Sequence, residues 1–267
     1  LGLVGSEMCI RDRAYTNSSL ARVRILSPNH SGARKHVIDT VTIHCTAGQL
    51  TAAQIGNIFK NPARRASSNY GIGWDGSIGL YVEEKNRSWC SSSSSNDNRA
   101  ITIEVSSDPK YPYAVKDKAY NALIELLVDI CLRNHIKRLV WSTNKYQRMN
   151  HLRGCNMTVH RDYANKSCPG EFLYSRHFEI ASKVNAKLDK IRGSVNTKRP
   201  PLKMGDVVNF KGNKHYANCN SDEAKPCKAG KATITRIVEG SKHPYHLVRV
   251  MLGSSNVWGW VDERDIN

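Results

Sequence analysis

The sequence predicts an α/β domain, a β-sheet flanked by helices, followed by a small β-barrel. Three observations carry this. Apolar residues alternate with polar ones over residues 37–46 and again over 101–105, the period of a strand with one covered face. Apolar residues at spacings of three and four run through residues 116–134 and through the stretch after Gly170, the period of a helix packed on a core. Beyond residue 202 the pattern changes to short apolar runs between Gly, Asn and Lys-rich turns, which reads as a small barrel. With 267 residues and a hydrophobic fraction of 40%, the chain can bury one or two cores. It contains no apolar run long enough to span a membrane.

In chain order, residues 1–13 have no basic region ahead of their apolar start and fail as a secretory signal. They resemble translated sequencing-adapter sequence and are set aside, so the domain is expected to begin near Ala14. In the strand at residues 37–46, Val41, Ile43 and Cys45 point one way and Thr42, His44 and Thr46 the other, which puts His44 on an open polar face. Thr51-Ala52-Ala53-Gln54 is a capping box, and Ile55, Ile58 and Phe59 form the stripe of the helix it starts. Asn61-Pro62 ends that helix. Two short strands around residues 70–74 and 77–82 form a hairpin through Asp75-Gly76. Residues 91–98, five serines followed by Asn96-Asp97-Asn98, read as a loop. In the next strand Glu104 lies opposite the face of Ile101, Ile103 and Val105, as His44 does in its own strand. The last helix carries Leu173, His177, Ile180, Val184 and Leu188 on one stripe and is expected to stop before Gly193. Residues 193–201, with two prolines, read as a linker between a first domain at 14–192 and the barrel at 202–267.

Cysteine usage bears on both compartment and chemistry. Without Cys9 seven remain, an odd number that argues for reduced thiols and a cytoplasmic origin. Cys219 and Cys227 can either bridge a surface loop or stay free. The stretch Val159-His160-Arg161-Asp162-Tyr163-Ala164-Asn165-Lys166-Ser167-Cys168-Pro169-Gly170 offers two zinc-type ligands, His160 and Cys168, with a lysine two residues before the cysteine. A catalytic zinc uses three protein ligands and leaves a fourth position open. His44 is the best candidate for the third. His160 and Cys168 are too far apart for one helical face, so a loop must fold back to bring them together.

Four motifs in order, Ile43-His44-Cys45-Thr46-Ala47-Gly48, Asn69-Tyr70-Gly71-Ile72-Gly73-Trp74-Asp75-Gly76, Ile101-Thr102-Ile103-Glu104-Val105 and the His160 to Gly170 stretch, resemble the zinc-dependent N-acetylmuramoyl-L-alanine amidases of the amidase-2 type. This family includes phage endolysins and shares its fold with peptidoglycan recognition proteins. The resemblance covers residues 20–190 and implies a mixed β-sheet flanked by helices. It also implies zinc ligands at His44, His160 and Cys168, catalytic roles for Glu104 and Lys166, and substrate contacts at Asn69 and Tyr70. Some members carry a catalytic tyrosine seven residues before the aspartate of the Asp-Gly turn; here that position is Ser68, so the pattern is the glutamate type. The C-terminal stretch resembles bacterial SH3-like modules, especially in Gly205-Asp206-Val207-Val208 and Trp258-Gly259-Trp260-Val261-Asp262.

The implied activity is hydrolysis of the amide between N-acetylmuramic acid and L-alanine in peptidoglycan, by a monomer made in the cytoplasm and released onto the cell wall at lysis. The formal charge of +17 favours polyanionic partners, among them anionic wall polymers bound through the SH3-like module. Nucleic acid is a weaker reading, because no recognition helix or RNA-binding motif accompanies the charge. A structural zinc protein would call for four protein ligands rather than three. The remaining alternative is a recognition protein that binds peptidoglycan without cutting it; members of that class typically lose the zinc cysteine, and Cys168 is present.

Overall fold

The computed structural model describes residues 15–197, 202–250 and 255–267. The expectation that residues 1–13 are foreign, and part of the expected linker, lie outside them. The chain divides into two compact units, residues 1–192 and 193–267.

The first unit is built on a six-stranded sheet in the order β1-β5-β4-β7-β3-β8. These strands are β1 (Val23–Arg24), β3 (Thr40–Cys45), β4 (Tyr70–Ile72), β5 (Ile78–Leu80), β7 (Ala100–Val105) and β8 (Met157–Val159). A separate two-stranded ribbon pairs β2 (His30–Ala33) with β6 (Asn86–Ser88). Strands β4, β7, β3 and β8 run parallel, while β5 returns antiparallel to β4 through the Asp75-Gly76 turn, so the sheet is mixed. Gly76 sits at φ +86°, where a side chain would be strained.

One sheet face is covered by two long helices, α3 (Asp117–Arg133) and α6 (His177–Thr197). Leu123, Leu126, Leu127 and Ile130 from α3 and Ile180, Val184 and Leu188 from α6 join Val41, Ile43, Ile101 and Ile103 in a single core. Each such side chain, fully removed from water, contributes about 1.5–3 kcal/mol. Helix α1 (Ala52–Lys60) begins at the Thr51–Gln54 capping box, with Gln54 N–H donating to Thr51 Oγ1 at 3.2 Å and Thr51 N–H to Gln54 Oε1 at 2.8 Å.

The opposite face departs from expectation. His44, Thr42 and Thr102 are fully buried, not open. A polar layer covers them: residues read as a loop form a short helix, α2 (Ser94–Arg99), capped by Ser93 Oγ, and Asn96 reaches down to donate to Thr42 Oγ1 at 3.0 Å. Asp97 holds the approach to this helix by accepting from the N–H groups of Cys90 (3.0 Å) and Ser91 (3.2 Å). The last helix also runs on past Gly193, which lies inside α6. Two short helices complete the unit, α4 (Lys145–Met149) and α5 (Gly170–Ser175). No helix among the described residues is long and apolar enough to cross a membrane.

The second unit is one antiparallel sheet in the order β11-β10-β14-β13-β12-β9. Its strands are β9 (Val207–Phe210), β10 (Lys214–Tyr216), β11 (Ala224–Pro226), β12 (Gly230–Ile237), β13 (Tyr245–Arg249) and β14 (Trp258–Val261). Val208, Phe210, Ala232, Ile234, Leu247, Val257, Val261 and Ile266 make its core. Cys219 and Cys227 are both free thiols.

Candidate active site

Strand register places the key side chains. His44 on β3 pairs directly with Glu104 on β7, and Ile43 pairs with Val159 on β8, so His160, the next residue, follows on from β8 beside His44. Three neighbouring parallel strands thus present Glu104, His44 and His160 in a row at their C-terminal ends, the edge where parallel sheets bind ligands. The two imidazole rings meet edge to face with centroids 5.1 Å apart.

Cys168 comes from the loop after β8. Its Sγ lies 3.3 Å from His44 Nδ1, and one ligand atom from each of His44, His160 and Cys168 falls within 4.8 Å of the others. The loop is held from several sides. Tyr163 and Ala164 N–H donate to the His160 carbonyl, and Arg161 Nη2 donates to Ser167 O at 2.6 Å. Gly170, at φ +77°, packs where a Cβ would come within 2.6 Å of Tyr113. The turn at His160–Asp162 is fixed from below by a buried ion pair in which Arg148 Nε and Nη2 donate to Asp162 at 2.9 and 2.5 Å, while Asp162 Oδ2 also accepts from Val159 N–H. The Arg148 guanidinium lies over the Trp141 ring, 4.4 Å from its centroid.

The electrostatics suit a cation. Burial, then the nearby His160, pulls His44 down to about 3, and burial with Lys166 lowers His160, so both rings are neutral near pH 7, the form a metal binds. His160 Nε2 meets Ser92 Oγ at 2.9 Å. Hydrogen bonding with Cys45, then burial, holds the Cys168 thiol well above the usual thiol range. Burial pushes the Glu104 carboxyl up to about 8, with Cys45 reinforcing and Arg64 opposing the shift. His44 Nε2 and Glu104 Oε2 are buried atoms without a hydrogen-bond partner among the described residues. Two neutral imidazoles and a thiol, with buried polar atoms left unpaired, fit a zinc-type ion.

Beside these residues opens a cavity of about 180 Å³ with Leu50, Ile55 and Phe59 on its apolar wall and Arg64, Trp89 and Cys90 around Glu104. The profile of the Amidase_2 family, described as N-acetylmuramoyl-L-alanine amidase, matches residues 34–171, about half of the chain and all of the elements just described. The chain belongs to this amidase family. Solved structures similar to the amidase include the catalytic domain of XlyA (17% identity, TM-score 0.46, covering 61% of this chain and 97% of that one). Others are the endolysin LysCS from Clostridium intestinale URNW (19%, 0.41, 64% and 94%) and the Drosophila peptidoglycan recognition protein PGRP-SA (16%, 0.40, 55% and 80%). A search of curated proteins finds no match.

Of the residues singled out in sequence, the amidase fold gathers His44, His160, Cys168 and Glu104. Lys166 is exposed on the loop, close enough to His160 to act on its charge. Asn69 and Tyr70 require correction, because both are fully buried parts of the scaffold rather than walls of the cavity. Asn69 accepts from Arg34 Nη2 and Thr102 N–H, and the Tyr70 hydroxyl donates to Glu84 at 2.6 Å and accepts from Ser18 N–H. Sequence reasoning missed Cys90, whose Sγ lies 3.9 Å from Glu104 Oε1; Cys45 packs against the core as expected, but its second position, lining the cavity beside Cys168, was not foreseen. Residue type alone signals neither.

Proposed function

We propose that the protein is a zinc-dependent N-acetylmuramoyl-L-alanine amidase of endolysin type, which hydrolyses the amide between the lactyl group of N-acetylmuramic acid and the first L-alanine of the stem peptide. The observation that carries the reading is the row of strand ends holding Glu104, His44 and His160, with Cys168 3.3 Å from His44. His44, His160 and Cys168 would hold the ion, which when bound polarises a carbonyl and acidifies water. The work left to the chain is proton transfer and charge placement. Glu104 faces the cavity with Oε2 unpartnered among the described residues; burial favours its protonated form, and the charge of a bound cation would restore the carboxylate that takes a proton from the attacking water and returns it to the leaving amine. Lys166 adds a positive charge on the side of His160, where an oxyanion gains from it. The apolar wall of Leu50, Ile55 and Phe59 keeps water from one side of the substrate.

For the second unit the proposal is a wall-targeting, SH3-like module. Ten Lys or Arg against seven acids from residue 202 onward, and Trp258 and Met204 exposed at 64% and 68%, suit an anionic polymer with apolar rings or methyls. Incubation with purified peptidoglycan tests the activity. Free muramoyl lactyl carboxylates on intact glycan chains are expected; cut glycan strands with intact stem peptides would refute it.

A further inference from the structure

More ligand chemistry surrounds Glu104 than one three-donor site employs. His44 Nδ1 faces Cys168, which leaves the other ring nitrogen, Nε2, buried and without a partner among the described residues; Glu104 Oε2 is in the same condition. The Cys90 thiol stands 3.9 Å from Glu104 Oε1, on a segment that Asp97 pins through the Cys90 and Ser91 N–H groups. One ligand atom from each of His44, Cys90 and Glu104 lies within 4.8 Å of the others. Zinc bonds of about 2.0–2.3 Å in a tetrahedron set ligand atoms roughly 3.3–3.8 Å apart, so shifts of about 1 Å close the group around an ion.

We propose that His44, Cys90 and Glu104 form a second, weaker zinc position sharing His44 with the first, and that filling it inhibits the enzyme by withdrawing the Glu104 carboxylate from proton transfer. The inhibition rests on the role proposed above for Glu104; the site itself does not. On binding, cation bonds form to Cys90 Sγ, His44 Nε2 and a Glu104 carboxylate oxygen. The thiol proton, the ring N–H proton and the carboxyl proton leave to solvent, and no electrons change hands. Releasing three protons makes this position weaker than the first and tighter as pH rises. Its sulfur, nitrogen and oxygen donors select zinc or cadmium over magnesium or calcium.

The test titrates metal-free full-length protein with zinc and with cadmium, alongside Cys90→Ala and Cys90→Ser. Equilibrium dialysis should find two zinc equivalents in the wild type and one in both variants, with retention of the first equivalent showing that the site still folds. The second cadmium equivalent should add a further increment of ultraviolet thiolate-to-metal absorbance in the wild type only. Excess zinc should lower hydrolysis of a soluble muropeptide at least tenfold, and each variant, relative to its own rate at one equivalent, should resist. One equivalent in all three proteins would overturn the site. A second equivalent that depends on Cys90 but leaves the rate unchanged would overturn the inhibition. Two equivalents with no hydrolysis at any zinc level would keep the site and refute the proposed activity.

Discussion

The Arg148–Asp162 pair offers the most quantitative test of how the site is held. The two side chains are 2% and 0% exposed, so Asp162→Asn leaves a buried guanidinium facing a neutral amide. Breaking a buried pair from one side costs about 3–5 kcal/mol. For a unit of this size, where 1 kcal/mol moves Tm by about 2–4 °C, the expected fall is roughly 6–20 °C. Asp162 also receives Val159 N–H, one residue before His160, so zinc affinity should drop by about 10–100-fold, the usual effect of losing a partner behind a ligand. Removing both charges together, with Arg148→Met and Asp162→Leu, should recover most of the stability but not the affinity, because the anchor on the His160 turn is still missing. Urea and thermal unfolding with zinc titration measure all three. If Asp162→Asn unfolds within about 1 kcal/mol of wild type, the pair is not what holds the turn.

Cys168→Ser should bind well under one zinc equivalent by metal analysis, and full retention would reject Cys168 as a ligand. Glu104→Gln should lose about 100-fold to 10,000-fold in kcat while keeping the metal, whereas near-normal turnover would rule out a proton-carrying role. Tyr70→Phe should stay within about tenfold in kcat and instead lose about 1–3 kcal/mol in unfolding free energy, since it strips a buried partner from Glu84 and Ser18. His177 predicts an acid limit. Burial holds it down to about 4, with the Leu173 carbonyl opposing and Arg148 reinforcing the shift, against 6.5 when unfolded. Its contribution is therefore complete above about pH 6.5 and declines as pH falls through 4, a loss of about 3 kcal/mol by pH 4. His177→Gln should flatten unfolding free energy against pH across that window; an unchanged slope would exclude His177 as the cause.

Much of the architecture was legible because its signals are local. The capping box at Thr51, the Asp75-Gly76 hairpin and the stripes of α3 and α6 each depend on residues a few positions apart. What escaped depends on distant partners. Ser-rich and Asn-rich composition at 91–98 speaks for a loop, yet Ser93 caps a helix there because Asn96 finds Thr42 and Thr158 to bond. His44 was expected on an open face since period two reports only that the faces differ, not that a second layer covers the polar one. The short strands β10 and β11 carry too few apolar residues to show a period. At the site, the zinc-type residues could be picked by type and order, but Cys90 and the Arg148–Asp162 anchor could not. Asn69 and Tyr70 misled because a motif shared with a family does not say whether its members touch substrate or hold the sheet.

Because Glu104, His44 and His160 sit at the ends of strands paired in parallel, their spacing is quantised by backbone hydrogen bonding. A slip of one residue would turn His44 to the far face, and the smallest slip that restores its facing, two residues, moves it by about 6.6 Å. No gradual drift connects working arrangements. Helix α1 and the loops that line the cavity are not tied to strand register, so the walls that choose a substrate are free to diverge while the reacting centre stays at a fixed address.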